Sequence, residues 1–342
     1  MTLGSYRFRG VAFWAVALAL FAALAAPTAL TSRAQDGSPT ADLGNLEGTV
    51  ASDGSSTVGP ITQAVAEEFN AEAENVDVTV DISGTGGGFE RFCAGETDIQ
   101  NASRPIEEDE MAACSENGVD YYQFQVALDG ITVVVNPELE IECMTSDQLR
   151  QLWAPDSTIA NFNELDPSFP DQEISLYGPG TDSGTFDFFT DAIVGEEGAS
   201  RTDYTPSEDD NVIVEGVAGD EGGLGYFGYA YFEENQDRLA AVAVDNGDGC
   251  VEATPETIAD GAYAPLSRPL FIYMRAESME RPEVQAFARF YIENAGELVQ
   301  DVGFVPAPDE VYTEDAEKVE AAIAGGAEPD GPEGEGEATP EV

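Results

Sequence analysis

The chain contains no histidine and a single lysine, Lys318, among 342 residues. Without imidazole there can be no His-based catalytic triad and no His-ligated metal, and one lysine leaves little room for amine chemistry. Basic residues are scarce altogether: 13 Lys and Arg stand against 67 Asp and Glu, a net charge of −54. Nucleic acid and anionic membrane would both be repelled at long range, so neither is expected as a partner. The charge also suggests a salty habitat, where the self-repulsion is screened. Cysteine is limited to Cys93, Cys114, Cys143 and Cys250, none in a C-x-x-C arrangement. Lacking histidine beside them, they do not read as zinc ligands. No metal and no cofactor are expected.

Long apolar runs are also few, and the clearest is Val11–Ala26, behind a basic stretch with Arg7 and Arg9. At about 16 residues it is short for a membrane span and reads as a secretory signal occupying residues 1–34. Small-residue cleavage points follow Ala25 and Ala34, and no cysteine offers a lipid attachment point. The segment carries three arginines and no acid, so a cleaved chain would be three charges more negative. Export makes disulfides the natural use of four cysteines, with three connectivities open. Residues 35–46 read as a flexible linker, and the acidic low-complexity stretch 325–342 as a disordered tail.

Between them lies a chain 42% hydrophobic, long enough for one large core or two medium ones. Strand-like and helix-like segments alternate, which points to α/β with largely parallel sheets. The stretch 178–186, Gly-Pro-Gly-Thr-Asp-Ser-Gly-Thr-Phe, joins a short strand at 174–177 to a helix at 186–194. A glycine-rich turn with hydroxyls opening a helix aims free amides at an anion. It lacks the lysine of a Walker P-loop. Similar units occur earlier: Ser55-Ser56-Thr57 after a strand at 48–51 and before a helix at 58–73, then Ser83-Gly84-Thr85-Gly86-Gly87-Gly88 before a helix at 89–94. A third strand, 98–105, ends in Ser103-Arg104. Further strands are expected at 121–128 and 131–136 with a hinge at Asp129-Gly130, and at 224–229, 239–244 and 270–274. Helices are expected at 107–117, 145–153 and 211–217, then from Pro282, at 297–302 and at 309–324. Val284, Phe287, Tyr291 and Ile292 form a packing stripe on the helix from Pro282.

Gly54-Ser55-Ser56-Thr57, Gly84-Thr85-Gly86-Gly87-Gly88-Phe89, Ala102-Ser103-Arg104-Pro105 and Asp182-Ser183-Gly184-Thr185-Phe186 occur in an order that resembles the phosphate-binding proteins of ABC-type phosphate importers. Gly222-Gly223-Leu224-Gly225-Tyr226 and Gly303-Phe304-Val305-Pro306 fit the same pattern, and the resemblance spans residues 47–324. It implies a two-lobed, type II periplasmic-binding-protein fold with two crossovers and a ligand cleft between the lobes. Lobe one would comprise 47–128 and 270–324, and lobe two 129–268. That division places Cys93 with Cys114 and Cys143 with Cys250, which implies these two disulfides. It further implies a monomeric receptor in a periplasm or cell-wall space. This receptor would capture inorganic phosphate and deliver it to membrane permease subunits, with another tetrahedral oxyanion such as sulfate or molybdate as the alternative.

Position by position, the resemblance implies ligand contacts from Ser56, Thr57, Thr85, Gly86 and Ser103 of lobe one, and from Ser183, Gly184 and Thr185 of lobe two. The chain departs from the family twice. Arg104 stands where many relatives carry Asp, and Pro179 where they carry Arg. The expectation is therefore that Arg104 supplies a bidentate guanidinium across the cleft. Asp129 or Asp182 would accept the proton of hydrogen phosphate and so exclude sulfate. An enzyme using Ser183 as nucleophile is not expected, because no histidine or nearby lysine can serve as its base.

Overall fold

The computed structural model describes residues 43–181 and 183–331. The signal expected at 1–34 and most of the linker lie outside the described residues. The linker's end forms a short 3-10 turn, Leu43–Asn45, and Leu43 and Leu46 pack on the first core.

Strand β1 (Gly48–Gly54) runs into helix α1 (Gly59–Glu72), where Pro60 occupies the first turn and forfeits no hydrogen bond. Ile61, Val65 and Phe69, spaced by four, are buried on one face. β2 (Val76–Val80) and β3 (Ile99–Ala102) flank β1 in parallel, with α2 (Thr85–Cys93) between them in sequence. Helix α2 starts earlier than the expected Phe89, because Gly84 turns the chain at φ 81° and accepts the Gly88 amide at 2.9 Å. The glycine-rich loop is itself the first helical turn. Helix α3 (Glu108–Asn117) follows and is tied to α2 by the Cys93–Cys114 disulfide.

Next comes the 15-residue strand β4 (Tyr121–Val135). Two strands broken at Asp129-Gly130 were expected, and the backbone instead stays extended throughout. The reason is its partner β11 (Ser267–Arg275), antiparallel and paired from Arg275↔Tyr121 to Ser267↔Gly130 with one register shift between Leu270 and Phe271. Arg268 faces Asp129 across the pair and neutralises its charge. Gly130 is needed for packing, since a Cβ there would lie 2.5 Å from Ile258.

Between these long strands lie β5 (Cys143–Thr145), α4 (Ser146–Trp153), α5 (Phe162–Leu165), β6 (Ser175–Pro179) and α6 (Gly184–Phe189). Helix α6 widens into a π turn, Thr190–Val194, and is followed by β7 (Thr205–Ser207), α7 (Asp210–Gly219), β8 (Gly223–Gly228) and α8 (Tyr229–Glu234). Then come β9 (Ala240–Asp245), β10 (Cys250–Val251) and α9 (Pro255–Ala259). Disulfide Cys143–Cys250 joins β5 to β10, so both pairings are those the resemblance implied.

The strand order β2-β1-β3-β11-β4 continues as β4-β8-β6-β7, so β4 belongs to both halves of the sheet. Each half has its own core. Val50, Ile61, Phe69, Phe124, Ile272 and Phe287 belong to the first. Ile131, Leu149, Trp153, Phe189, Tyr226 and Val242 belong to the second. This is a two-lobed mixed α/β fold.

Helix α10 (Pro282–Asp301) runs 20 residues and buries Val284, Phe287, Tyr291 and Ile292. The separate helix expected at 297–302 is its last turn, because Val299 continues the buried stripe. Helix α11 (Asp309–Ile323) then lies along the open edge of β4. Tyr312 donates to the Val126 carbonyl at 2.8 Å, and the Gln125 amide donates to Asp315 at 3.0 Å. Lys318 donates to the Gln123 carbonyl at 2.9 Å and pairs with Asp330, which accepts from the Gln123 amide at 2.8 Å. The tail expected to be unstructured from Gly325 is thus held as far as Gly331. Its backbone and Asp330 satisfy an edge strand that would otherwise expose unpaired groups.

Candidate functional site

Three loops from the first half of the sheet and one from the second meet at a cavity of about 680 Å³. In the first loop Ser55 acts as a local brace: its hydroxyl accepts the Thr57 amide at 3.1 Å, and its own amide donates to the Asn101 carbonyl. This leaves Ser56 and Thr57 on the cavity wall. In the second, α2 begins without any side-chain cap, so its first-turn amides retain their donors at the cavity, where Thr85 and Gly86 lie. In the third, Ser103 reaches the Thr85 hydroxyl at 3.0 Å, linking two loops through one hydroxyl pair.

From the other half, Gly184 completes the wall. A Cβ on Gly184 would lie 2.5 Å from the Thr57 hydroxyl and 3.2 Å from the Thr57 amide, so only glycine permits this approach. Ser183 caps the Thr185 amide at 3.2 Å, and both residues flank Gly184 at the start of α6. Of the residues expected in the site, Ser56, Thr57, Thr85, Gly86, Ser103, Arg104 and Gly184 line one cavity. Ser183 and Thr185 adjoin it. Asp182 lies outside the described residues.

Two of the expected roles change. Arg104 borders the cavity, but its bidentate edge grips Glu110 with both contacts at 2.8 Å, and its Nε lies 3.1 Å from Glu107. The fork assigned to the ligand is therefore already filled by a carboxylate. Asp129 is buried behind the wall, paired at 3.3 Å with Arg268. Burial pushes its carboxyl upward against the pull of Arg268. It serves the arginine, not the cavity.

Arg268 borders the cavity and is not among the residues the sequence led one to expect there. Its Nη2 donates to the Thr57 hydroxyl at 3.0 Å, its Nε to Asp129, and its guanidinium stacks 3.8 Å from the Phe188 ring centre. The sequence held a faint signal: a rare basic residue at the crossover, one position before Pro269. Asp187, Asp191, Glu197 and Glu107 supply carboxylates to the same cavity. Partial burial and Glu197 raise the Asp187 carboxyl above the ordinary range, while Arg268 opposes them. Among the described residues no cluster of three acids or cysteines could hold a metal ion.

This combination of hydroxyls, open helix amides and a guanidinium braced by a carboxylate suits an oxyanion stripped of water. Residues 33–295 match the PBP superfamily domain. The chain is 47% identical over 267 residues to protein SphX of Synechococcus elongatus, covering 77% of this chain and 79% of that one. It is 39% identical over 307 residues to the phosphate-binding protein PstS of Staphylococcus saprophyticus, covering 89% and 94%. The crystal structure of a possible phosphate binding protein from Planctomyces limnophilus is 48% identical and superposes with a TM-score of 0.78, covering 81% of this chain and 99% of that one. The chain belongs to the PBP superfamily, and within it to the family of phosphate-binding proteins of ABC-type importers.

Proposed function

We propose that this protein captures inorganic phosphate outside the cytoplasm and delivers it to the permease of an ABC importer, without chemical change to the ligand. One observation carries the reading. Arg268 spans the two halves of the sheet, bound to Thr57 on one side and stacked on Phe188 on the other, and borders a cavity of hydroxyls and amides. Lobes 47–128 with 270–324 and 129–268 would close about β4 and β11, bringing Gly184 onto Thr57. No helix among the described residues is long and apolar enough to cross a membrane.

In this reading Ser56, Thr57, Thr85, Gly86, Ser103, Ser183, Gly184 and Thr185 donate to phosphate oxygens, and Arg268 takes the place expected of Arg104. Asp187 accepts the proton of hydrogen phosphate, because it borders the cavity and Asp129 is committed to Arg268. Sulfate has no proton to offer and would set two like charges face to face. Isothermal titration at neutral pH should show phosphate binding and no measurable sulfate binding. In Asp187→Asn phosphate should weaken by at least about tenfold and sulfate should become detectable. An unchanged ratio between the two anions would remove Asp187 from this role, and tight sulfate binding by the unmodified protein would overturn the phosphate reading itself.

A further inference from the structure

We propose that Glu110 sets how tightly the cavity holds phosphate, by occupying the guanidinium of Arg104 in competition with the ligand; the inference rests on the phosphate reading above. Arg104 borders the cavity, with Nη2 3.9 Å from the Cβ position of Gly86 on the open first turn of α2. One hydrogen of that Nη2 goes to Glu110, and the other has no acceptor among the described residues. The arginine therefore meets the cavity as a donor whose positive charge is already matched. Its side chain is 34% exposed and that of Glu110 only 13%, so the carboxylate sits on the drier side of the pair.

Glu110 is held where it is by several independent contacts. Its Oε2 also accepts the Glu107 amide at 2.9 Å, closing the capping box of α3. Helix α3 is bonded to the last residue of α2 through Cys93–Cys114, and the Glu110 carbonyl lies 3.4 Å from the Cys93 sulfur, which fixes the acid relative to α2. A carboxylate and a phosphate present the same paired oxygens to the same guanidinium fork. With Glu110 charged, phosphate gains only one donor from Arg104 and feels a nearby like charge. Removing that charge frees both Nη groups from an ionic partner and leaves Arg104 ion-paired only through its Nε, with Glu107 at 3.1 Å.

The direction of the effect separates this role from a structural one, since loss of a mere brace would weaken binding. Glutamine at 110 can still accept the Glu107 amide, so the helix cap survives. Phosphate should bind Glu110→Gln on the order of tenfold more tightly at low salt, with the gain shrinking as ionic strength rises. The same change at Glu116, exposed at the far end of α3, should leave affinity as it was. In an Arg104→Gln background the gain should vanish, as a double-mutant cycle through one contact requires. Glu110→Gln binding no tighter than the unmodified protein, or a gain that persists without Arg104, would overturn the proposal. If the unmodified protein fails to bind phosphate at all, the functional reading is what falls. Thermal unfolding of each variant checks that the fold is retained.

Discussion

Arg268 is the side chain through which the two halves of the cavity communicate, and lysine cannot replace it. An ammonium has no planar fork with which to hold Asp129, Thr57 and a ligand oxygen together, nor a flat face for Phe188. Arg268→Lys should weaken phosphate binding by about 2–3 kcal/mol, roughly a hundredfold in Kd by titration calorimetry. A Kd within threefold of the unmodified value would show that the hydroxyls and amides suffice. Gly184→Val tests the close approach to Thr57: overpacking of about 1–3 kcal/mol should fall on the closed form, lowering affinity by about tenfold to a hundredfold while Tm stays near its original value. The two residues were not equally legible. Gly184 belongs to a motif of glycine and hydroxyls whose purpose is local, so its position was readable from the residues around it. Arg268 is distant in sequence from Thr57 and Phe188, and only the pairing of β11 with β4 brings it to them. The pairing of Arg104 was hidden for the complementary reason: its neighbour in the loop is visible in the sequence, but its partner Glu110, in the first turn of α3, is not identified by it.

At the scale of elements, period and punctuation were informative and continuity was not. The four-residue stripe on α1 and the Val-x-Val-x-Val alternation of β2 follow from elementary geometry. Asp129-Gly130 resembles a break because neither residue favours a strand, yet cross-strand pairing with Arg268 carries β4 straight through. The strap that α11 forms with residues 325–331 was only half legible: the helix was expected at 309–324, whereas 325–331 has the composition of a disordered tail and takes its order from the β4 edge it covers. That strap is sensitive to pH. Burial, with Asp330 and Glu314 close by, pushes the Asp315 carboxyl up to about 7 from the ordinary 3.8, against the pull of Lys318 and the Gln125 amide. The protonated form is favoured in the fold, so its contribution to stability is complete below about pH 4 and is lost as pH rises to about 7. Asparagine can accept the same amide without a charge. Asp315→Asn should therefore raise Tm by a few degrees at pH 8 and leave it unchanged near pH 4, as differential scanning calorimetry would show. Equal shifts at both pH values would refute the assignment.

For the whole molecule, the excess of 54 negative charges opposes compaction unless ions screen it. Raising potassium chloride from about 0.1 M to about 1 M shortens the screening length from about 10 Å to about 3 Å. Tm should rise by several degrees over that range, and a fall would mean that specific ion pairs outweigh the general repulsion. The pairing of Lys318 with Asp330 and the Gln123 carbonyl has a further consequence for experiment. It is the only ε-amine in the chain, so an amine-directed acylating reagent has one side chain to modify, distinguishable by mass from the terminal α-amine. While the amine is engaged at the strand edge it is held as a charged donor in two contacts, and it reacts more slowly than when the strap lifts. Acylation kinetics at Lys318 thus give a protection factor for this one edge, read out without a mutation or an attached probe.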